Sequence, residues 1–160
     1  MESATVQTRD TQGRILAIDF GLVRMGLAVS DALGLTAQGL PTLVRTNKEA
    51  DFRYLVSLAA QYAVSRVIVG HPISHSGEET EMSLRAVRFA EGLRARLALP
   101  VELWDERLTS LEADRSLRES NMGGKKRREA RDRVAAQILL QSYLDRRAYQ
   151  RQLMEASAQL

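Results

Sequence analysis

Acidic residues follow two apolar runs of this sequence, where a carboxylate is difficult to accommodate. Asp19 directly follows ILAI at 15–18, and the pair Asp105 and Glu106 directly follows VELW at 101–104. Both runs read as buried strands, and an unpaired carboxylate at the end of a buried strand is either costly or stays protonated. We therefore expect these carboxylates to have partners, unless Asp19 only caps a turn and Asp105 and Glu106 only form surface ion pairs.

A third acid, Asp132, precedes an apolar stripe on the predicted closing helix. Ala135, Ala136, Leu139 and Tyr143 follow it at helical spacing, so this side of the helix is expected to face a sheet. Asp132 then points inward near the helix N-terminus, where the macrodipole favours a negative charge. Taken alone, Asp132 is equally compatible with a helix-terminal charge that has no partner.

The three acids can meet if the first strand is central and the last strand lies close to it. Converging carboxylates of Asp19, Glu106 and Asp132 would repel each other strongly. A hard divalent cation relieves this repulsion, because it prefers carboxylate oxygens and water as ligands. The sequence has no cysteine and only two histidines, His71 and His75, which favours Mg²⁺ or Mn²⁺ over zinc. Two such ions about 4 Å apart can activate a water and stabilise the leaving oxygen in phosphodiester cleavage.

Basic residues concentrate in the last third of the chain. Residues 1–114 carry 12 Lys or Arg and 15 Asp or Glu, whereas residues 115–151 carry 11 and 4. Such a region is the electrostatic signature of a polyanion partner, although a well-solvated helical surface has the same composition. A flexible basic loop is predicted at 121–128, beside Asp132, where its cations can hold a nucleic-acid backbone. These cations are Lys125, Lys126, Arg127 and Arg128.

The hydrophobic pattern predicts an α/β protein with a mixed sheet flanked by helices. Three strands come first and form a meander, and helices and strands then alternate. The predicted strands cover 15–21, 24–31, 39–46, 66–70 and 101–108, and the predicted helices cover 48–63, 81–98, 109–120 and 128–153.

A chain of 160 residues is expected to form one domain, here over 14–153. Residues 1–13 read as a disordered lead-in without the apolar core of a signal peptide, and 154–160 as a flexible tail. The sequence has no run of about 18 apolar residues, so a transmembrane helix is not expected. The absence of cysteine fits the reducing cytoplasm, and a homodimer is compatible with the sequence.

Four blocks of the sequence resemble the signature blocks of the YqgF/RuvX family of RuvC-like nucleases. They are LAIDFGLVRMGLAVSD at 16–31, RVIVGHPISHSGEE at 66–79, LWDERLTSLEAD at 103–114 and DRVAAQILLQSYLD at 132–145. The resemblance implies a ribonuclease H-like fold, in which a mixed five-stranded sheet has its first three strands antiparallel. It also implies maturation of the 5′ end of pre-16S ribosomal RNA, or resolution of Holliday junctions in branched DNA.

The resemblance carries catalytic and metal-binding roles to particular positions. Asp19, Glu106 and Asp132 match the family's catalytic acids, and Asp105 is an alternative metal ligand. The family often has Lys-Arg after its first glycine motif, whereas LVRMG leaves only Arg24 as a phosphate contact. The loop HPISHSG at 71–77 also departs from the usual family sequence, so the resemblance assigns no substrate contact to it.

The sequence therefore favours a metal-dependent nuclease that acts on structured nucleic acid, with pre-rRNA as the preferred substrate. Two rival classes are weighed against this interpretation. One is a nucleic-acid-binding module that has lost catalysis, although it would have no need of all three acids. The other is one lobe of an actin-like kinase, which would need a second lobe to enclose its nucleotide.

Overall fold

A computed structural model describes residues 13–109 and 124–160 of the chain. Five strands and three helices are numbered in chain order. The strands are β1 (Arg14–Asp19), β2 (Arg24–Ser30), β3 (Ala37–Val44), β4 (Val64–His71) and β5 (Val101–Asp105), and the helices are α1 (Lys48–Gln61), α2 (Glu81–Arg94) and α3 (Gly124–Ala158). The predicted lead-in up to residue 12, the predicted helix from 110 and the first residues of the predicted basic loop lie outside the described residues.

The strands form one mixed sheet in the order β3-β2-β1-β4-β5. β1 pairs antiparallel with β2, and β2 antiparallel with β3, whereas β4 runs parallel to both β1 and β5. β3 runs in the same direction as β1, and α1 returns the chain from β3 so that β4 is parallel to both. α2 makes the same kind of crossover between β4 and β5. The prediction of a mixed five-stranded sheet with an antiparallel first half is confirmed. β1 is central as expected, but β4 separates it from β5.

Side chains of β1 alternate between two hydrophobic cores, one on each face of the sheet. Leu16 and Ile18 belong to the core that α1 and α2 cover. Ile15 and Ala17 belong to the smaller core beneath α3. The alternation places Asp19, two residues after Ala17, on the face that α3 covers.

Side-chain caps mark the N-termini of the first two helices. The Asn47 side chain accepts a hydrogen bond from the Ala50 N–H at the start of α1, and Thr80 and Ser83 form a reciprocal capping box at the start of α2. Both helices begin where they were predicted to begin. They end at Gln61 and Arg94, two and four residues before the predicted ends.

α3 begins earlier and ends later than predicted. It therefore includes part of the predicted basic loop and most of the predicted C-terminal tail. The basic residues 125–128 lie in the first turns of α3 and are exposed there, so the prediction that they form a loop is wrong. Most of the predicted tail at 154–160 continues the helix as far as Ala158. Lysine, arginine, glutamate and alanine have high helix propensity, which explains why the helix extends through both segments. None of the helices within 13–109 and 124–160 combines the length and apolarity that a membrane span requires.

Candidate active site

The central strand ends at Asp19, which lies between two glycines of neighbouring strands. In the antiparallel pairing with β2, Asp19 is opposite Gly26. On the other side, the parallel pairing of Ile18 with Val69 places Gly70 of β4 next along the ladder. Glycine in a strand interior is typical of a place where another group approaches the sheet closely. A predicted acidic residue lies against each glycine: Glu106 against Gly70 and Asp132 against Gly26.

Glu106 reaches the site by lying over Gly70. It is the first residue of a 3₁₀ turn, Glu106–Leu108, that follows β5 directly, where the sequence predicted strand as far as 108. A Cβ atom on Gly70 would overlap Glu106 Oε1 and would lie 3.2 Å from Glu106 Cδ. Gly70 therefore provides the space through which Glu106 crosses β4, and the two carboxyl groups of Asp19 and Glu106 come within hydrogen-bonding reach.

Asp132 approaches from α3 on the other side of β1. A Cβ atom on Gly26 would overlap the Asp132 carbonyl oxygen and lie 2.9 Å from its carbonyl carbon, so glycine is what allows the helix backbone to pack this closely. The Asp132 carboxylate accepts a hydrogen bond from Arg24 Nε at 2.8 Å. Its negative charge also contributes to raising the pKa of Asp19. The structure thus brings the three predicted acids to one end of the central strand.

The surroundings of Asp132 differ from the prediction in one respect. Because α3 begins at Gly124, Asp132 lies more than two turns from its N-terminus, whereas the macrodipole acts mainly within the first turn. The expectation that the helix terminus stabilises this carboxylate is wrong. The Arg24 guanidinium supplies the positive charge instead.

Burial and mutual repulsion change the acidity of the carboxyl pair. Burial is the main cause that raises the pKa of Asp19 well above its usual range, and the neighbouring charges of Glu106 and Asp132 raise it further. Burial also raises the pKa of Glu106, although the hydrogen bond with Asp19 and the nearby His71 act in the opposite direction. The two groups therefore share a proton more readily than isolated carboxyls do, and both favour a positive partner.

Asp105 faces a different partner. Its carboxylate caps the 3₁₀ turn by accepting the Arg107 N–H, and it forms a forked ion pair with the Arg107 guanidinium at 2.7 Å. These interactions lower the pKa of Asp105. Of the two adjacent acids, the structure directs Glu106 rather than Asp105 towards Asp19.

The donor chemistry of the site fits a hard cation. Asp19 and Glu106 offer carboxylate oxygens at close range, and a divalent ion would relieve the repulsion that raises their pKa values. Within the described residues, however, no three ligating side chains are already assembled closely enough to enclose an ion. The ion pair between Arg24 and Asp132 explains this, because it directs the third carboxylate towards β2. Metal-ligand roles for Asp19, Glu106, Asp132 and Asp105 stay predictions.

The basic residues at the start of α3 do not form one surface. Successive helix residues point about 100° apart. Lys125 and Arg128 precede Asp132 by seven and four residues, so they share its side of the helix, whereas Lys126 and Arg127 point elsewhere. Arg24 was also predicted as a phosphate contact. Its Nε–H, one of the five N–H donors of a guanidinium, donates a hydrogen bond to Asp132.

Trp104 and His71 both contact neighbouring side chains. Trp104 donates a hydrogen bond to Ser142 Oγ at 3.0 Å and packs edge-on against Tyr143, so it joins β5 to α3. His71 lies beside the site, with Nε2 3.1 Å from a carboxylate oxygen of Glu79. The roles of Gly26 and Gly70 were not predicted, although a lone glycine within or at the end of each apolar run was the available signal.

The chain is similar to a known protein family over most of its length. Residues 13–146 match the family model RuvX, described as Holliday junction resolvase. A protein of Koribacter versatilis with the provisional name pre-16S rRNA nuclease is 51% identical over 140 residues, covering 88% of this chain and 92% of the relative. A protein of the same name from Syntrophus aciditrophicus is 44% identical over 132 residues, covering 82% and 88%.

Solved structures agree in fold. Thermus thermophilus RuvC in complex with a Holliday junction substrate superposes with a TM-score of 0.52 at 13% identity, covering 82% of this chain and 94% of that one. The yeast mitochondrial Holliday junction resolvase Ydc2 gives a TM-score of 0.50 at 11% identity, covering 91% and 84%. At these identities the likeness concerns the fold, which is the ribonuclease H-like fold expected from the sequence.

Proposed function

The chain belongs to the RuvX family of nucleases, and on this basis we propose that it is a metal-dependent endonuclease that matures the 5′ end of pre-16S ribosomal RNA in the cytoplasm. The observation that carries the proposal is the carboxyl pair of Asp19 and Glu106 at the end of the central strand, with Asp132 close enough for its charge to affect Asp19. The names of the two relatives support the choice of RNA. All three acids come from one chain, so the proposed site does not require a second copy.

We propose that Asp19 and Glu106 hold Mg²⁺ or Mn²⁺, and that Asp132 joins them when it leaves Arg24. Bound there, the metal would supply an activated water and stabilise the oxygen that leaves the scissile phosphate. Arg24 lies next to this position, and its other N–H donors can then bind a phosphate oxygen. Lys125 and Arg128 extend the positive charge along the same side of α3 and hold the neighbouring backbone.

The raised pKa values of Asp19 and Glu106 have a consequence for the reaction. Before the metal binds, the carboxyl pair retains a proton more readily than ordinary carboxyls do. Because a metal ligand must be deprotonated, the metal and the proton compete for the same oxygens. Apparent metal affinity should therefore rise with pH through the range in which this pair titrates.

A cleavage assay tests the proposal. Wild type is incubated with labelled pre-16S RNA that carries its 5′ leader, and separately with a four-way DNA junction, each with Mg²⁺, Mn²⁺ or chelator. We expect cleavage of the RNA at the 5′ end only with metal. Asp19→Asn and Asp132→Asn should each lose about 100-fold or more in rate while keeping RNA affinity, because each loses a metal ligand but little shape.

Asp145→Asn is the matched control, because Asp145 is an exposed acid on the same helix, about 20 Å along its axis from Asp132. Its cleavage rate should equal that of wild type. Full activity of purified Asp19→Asn would refute the assignment of the site. Cleavage of the DNA junction but not of the RNA would support the alternative, a Holliday junction resolvase, which the description of the matching family model favours. Binding without cleavage would indicate an inactive binding module.

A further inference from the structure

A small cavity of about 240 Å³ lies on the face of the sheet opposite the carboxylates. It is bounded by the end of β1, the turn that follows, and the helices α1 and α2. Its apolar lining includes Phe20 and Leu22, and basic side chains of Arg45, Lys48, Arg85 and Arg88 surround it. The proposed cleavage mechanism uses none of these residues.

The cavity and the carboxylates share the same strand end. Phe20 directly follows Asp19, and adjacent residues of an extended chain point to opposite faces of a sheet. Their Cα atoms are about 3.8 Å apart. Leu22, in the turn after β1, is 52% exposed. A polynucleotide with a phosphate at Asp19 can therefore reach the mouth of the cavity with a neighbouring nucleotide.

The aromatic floor of the cavity is fixed in place. The Phe20 ring packs against Phe89 with centroids 5.0 Å apart, and Phe89 stacks on Phe52 at 5.4 Å. Phe52 and Phe89 are buried, whereas Phe20 keeps part of its surface accessible. The part of the Phe20 ring that Phe89 and Arg45 leave uncovered offers an aromatic contact to a planar base.

Two of the basic side chains around the cavity form ion pairs, and the other two are exposed at its rim. Arg45 neutralises the buried carboxylate of Asp51 at 3.1 Å and lies over the Phe20 ring, so it belongs to the structure of the floor. Arg85 pairs with the exposed Glu81 at 2.8 Å. Lys48 and Arg88 are exposed at the rim. An apolar floor under a positively charged rim suits a planar apolar group that carries a negative charge.

We propose that this cavity, which we call the Phe20 pocket, binds one nucleotide of the substrate strand next to the scissile phosphate. The base would lie against Phe20 and Leu22, and the phosphate would contact Lys48 and Arg88. The cavity of about 240 Å³ is smaller than the roughly 300 Å³ at which sites for drug-sized ligands usually begin, so it would take one base and leave the sugar and phosphate at its mouth. This inference rests on the proposed function, since it assumes that nucleic acid crosses the end of β1.

The test uses Asp19→Asn as the parent protein, so that binding is measured without cleavage. The probes are a single-stranded RNA octamer of mixed sequence, uridine monophosphate and inorganic phosphate. The variants are the double substitution Lys48→Gln with Arg88→Gln, and Phe20→Leu, which keeps an apolar side chain but removes the stacking face. Arg53→Gln is the charge-matched control, because Arg53 is exposed on α1 and does not line the pocket. Melting temperatures establish that each variant is folded.

We expect uridine monophosphate to shift the backbone NMR signals of Phe20, Leu22 and Arg88. The double variant should bind the octamer about fivefold or more weakly, and its slope of log affinity against log salt should fall by about 0.7 for each phosphate that the variant no longer neutralises. Phe20→Leu should weaken binding by a similar factor or more without changing the slope, because stacking is insensitive to salt.

The pocket proposal is overturned if the double variant binds the octamer as Arg53→Gln does, or if the nucleotide shifts only signals outside the pocket. It is also overturned if phosphate alone produces the same shifts and Phe20→Leu has no effect, since the pocket would then be an anion site without base recognition. The wild-type cleavage assay separates these results from the proposed function. Cleavage that persists when Lys48→Gln and Arg88→Gln are introduced into the wild type, together with unaltered octamer binding, removes the pocket but keeps the nuclease.

Discussion

Gly70 provides a direct test of how Glu106 reaches the site. Glycine here does not need a left-handed backbone, because among the described residues only Gly34 and Gly77 are glycines with positive φ. Alanine is therefore compatible with the local conformation. The added Cβ would nevertheless overlap Glu106 Oε1 and lie 3.3 Å from Glu106 Cγ. Because the overlap with Oε1 is much deeper than the contact with Cγ, the carboxylate must move by roughly 1 Å to restore ordinary non-bonded separations of about 3.5 Å.

This displacement predicts a separation of activity from stability in Gly70→Ala. A misplacement of about 1 Å in a catalytic group can cost about 100-fold in rate, or about 2.7 kcal/mol of transition-state stabilisation. Stability should change by less than about 1 kcal/mol, because the gain of about 0.5–1 kcal/mol from replacing a strand glycine offsets a rotamer shift of similar cost. The measurements are the cleavage rate of pre-16S RNA with metal and the urea midpoint of unfolding.

Two other glycines supply the controls. Gly26→Ala should lose about 1–3 kcal/mol of stability, because its Cβ would meet the Asp132 backbone, which cannot rotate away as a side chain can. Gly39→Ala meets the exposed side chain of Arg133 and should change neither property much. Wild-type activity in Gly70→Ala would refute the reasoning, since Glu106 would then not need its position over β4.

Two further predictions concern charge. Burial raises the pKa of Asp19, so the folded protein binds more protons than the unfolded chain between about pH 4 and the raised pKa, and its stability falls as pH rises through that window. Asp19→Asn should therefore melt higher than wild type in chelator at pH 7, with a difference that shrinks as pH falls through that window and is lost below about pH 4; a variant that melts lower at pH 7 would contradict this. On α3, changing Lys125 and Arg128 to Gln should weaken RNA binding and lower its salt slope by about 0.7–0.9 for each phosphate left without its cation. Changing Lys126 and Arg127 instead should have a smaller effect, and equal effects of the two pairs, measured by titration at several salt concentrations, would show that the side of the helix does not matter.

The sequence alone predicted most of the local structure and the identity of the acids. The continuous apolar run ILAI at 15–18 predicted a buried strand that ends at Asp19, because an uninterrupted apolar strand is typical of one covered on both faces. The caps at Asn47 and Thr80 are similarly local, since each side chain binds a backbone N–H only three residues away. The mixed sheet followed from the order of strands and helices, and the structure confirms it.

The boundaries of α3 could not be obtained in the same way. Glycines 123 and 124 and four consecutive cations read as a loop, because glycine lowers helix propensity and like charges repel. The helix nevertheless begins at Gly124. Contacts with the sheet contribute to this, as Thr42 of β3 donates a hydrogen bond to the Glu129 carbonyl oxygen. Helices in proteins owe most of their stability to such packing, which the sequence pattern of one segment does not contain.

The arrangement of the site was decided by tertiary structure. Asp105 and Glu106 are adjacent and chemically similar, and only the turn after β5 directs one to Arg107 and the other across Gly70 to Asp19. The partner of Asp132 is Arg24, 108 positions away in the chain. Local propensities specify which segments become strands and helices, but which carboxylate meets which cation depends on the register and close approach of segments that are distant in sequence.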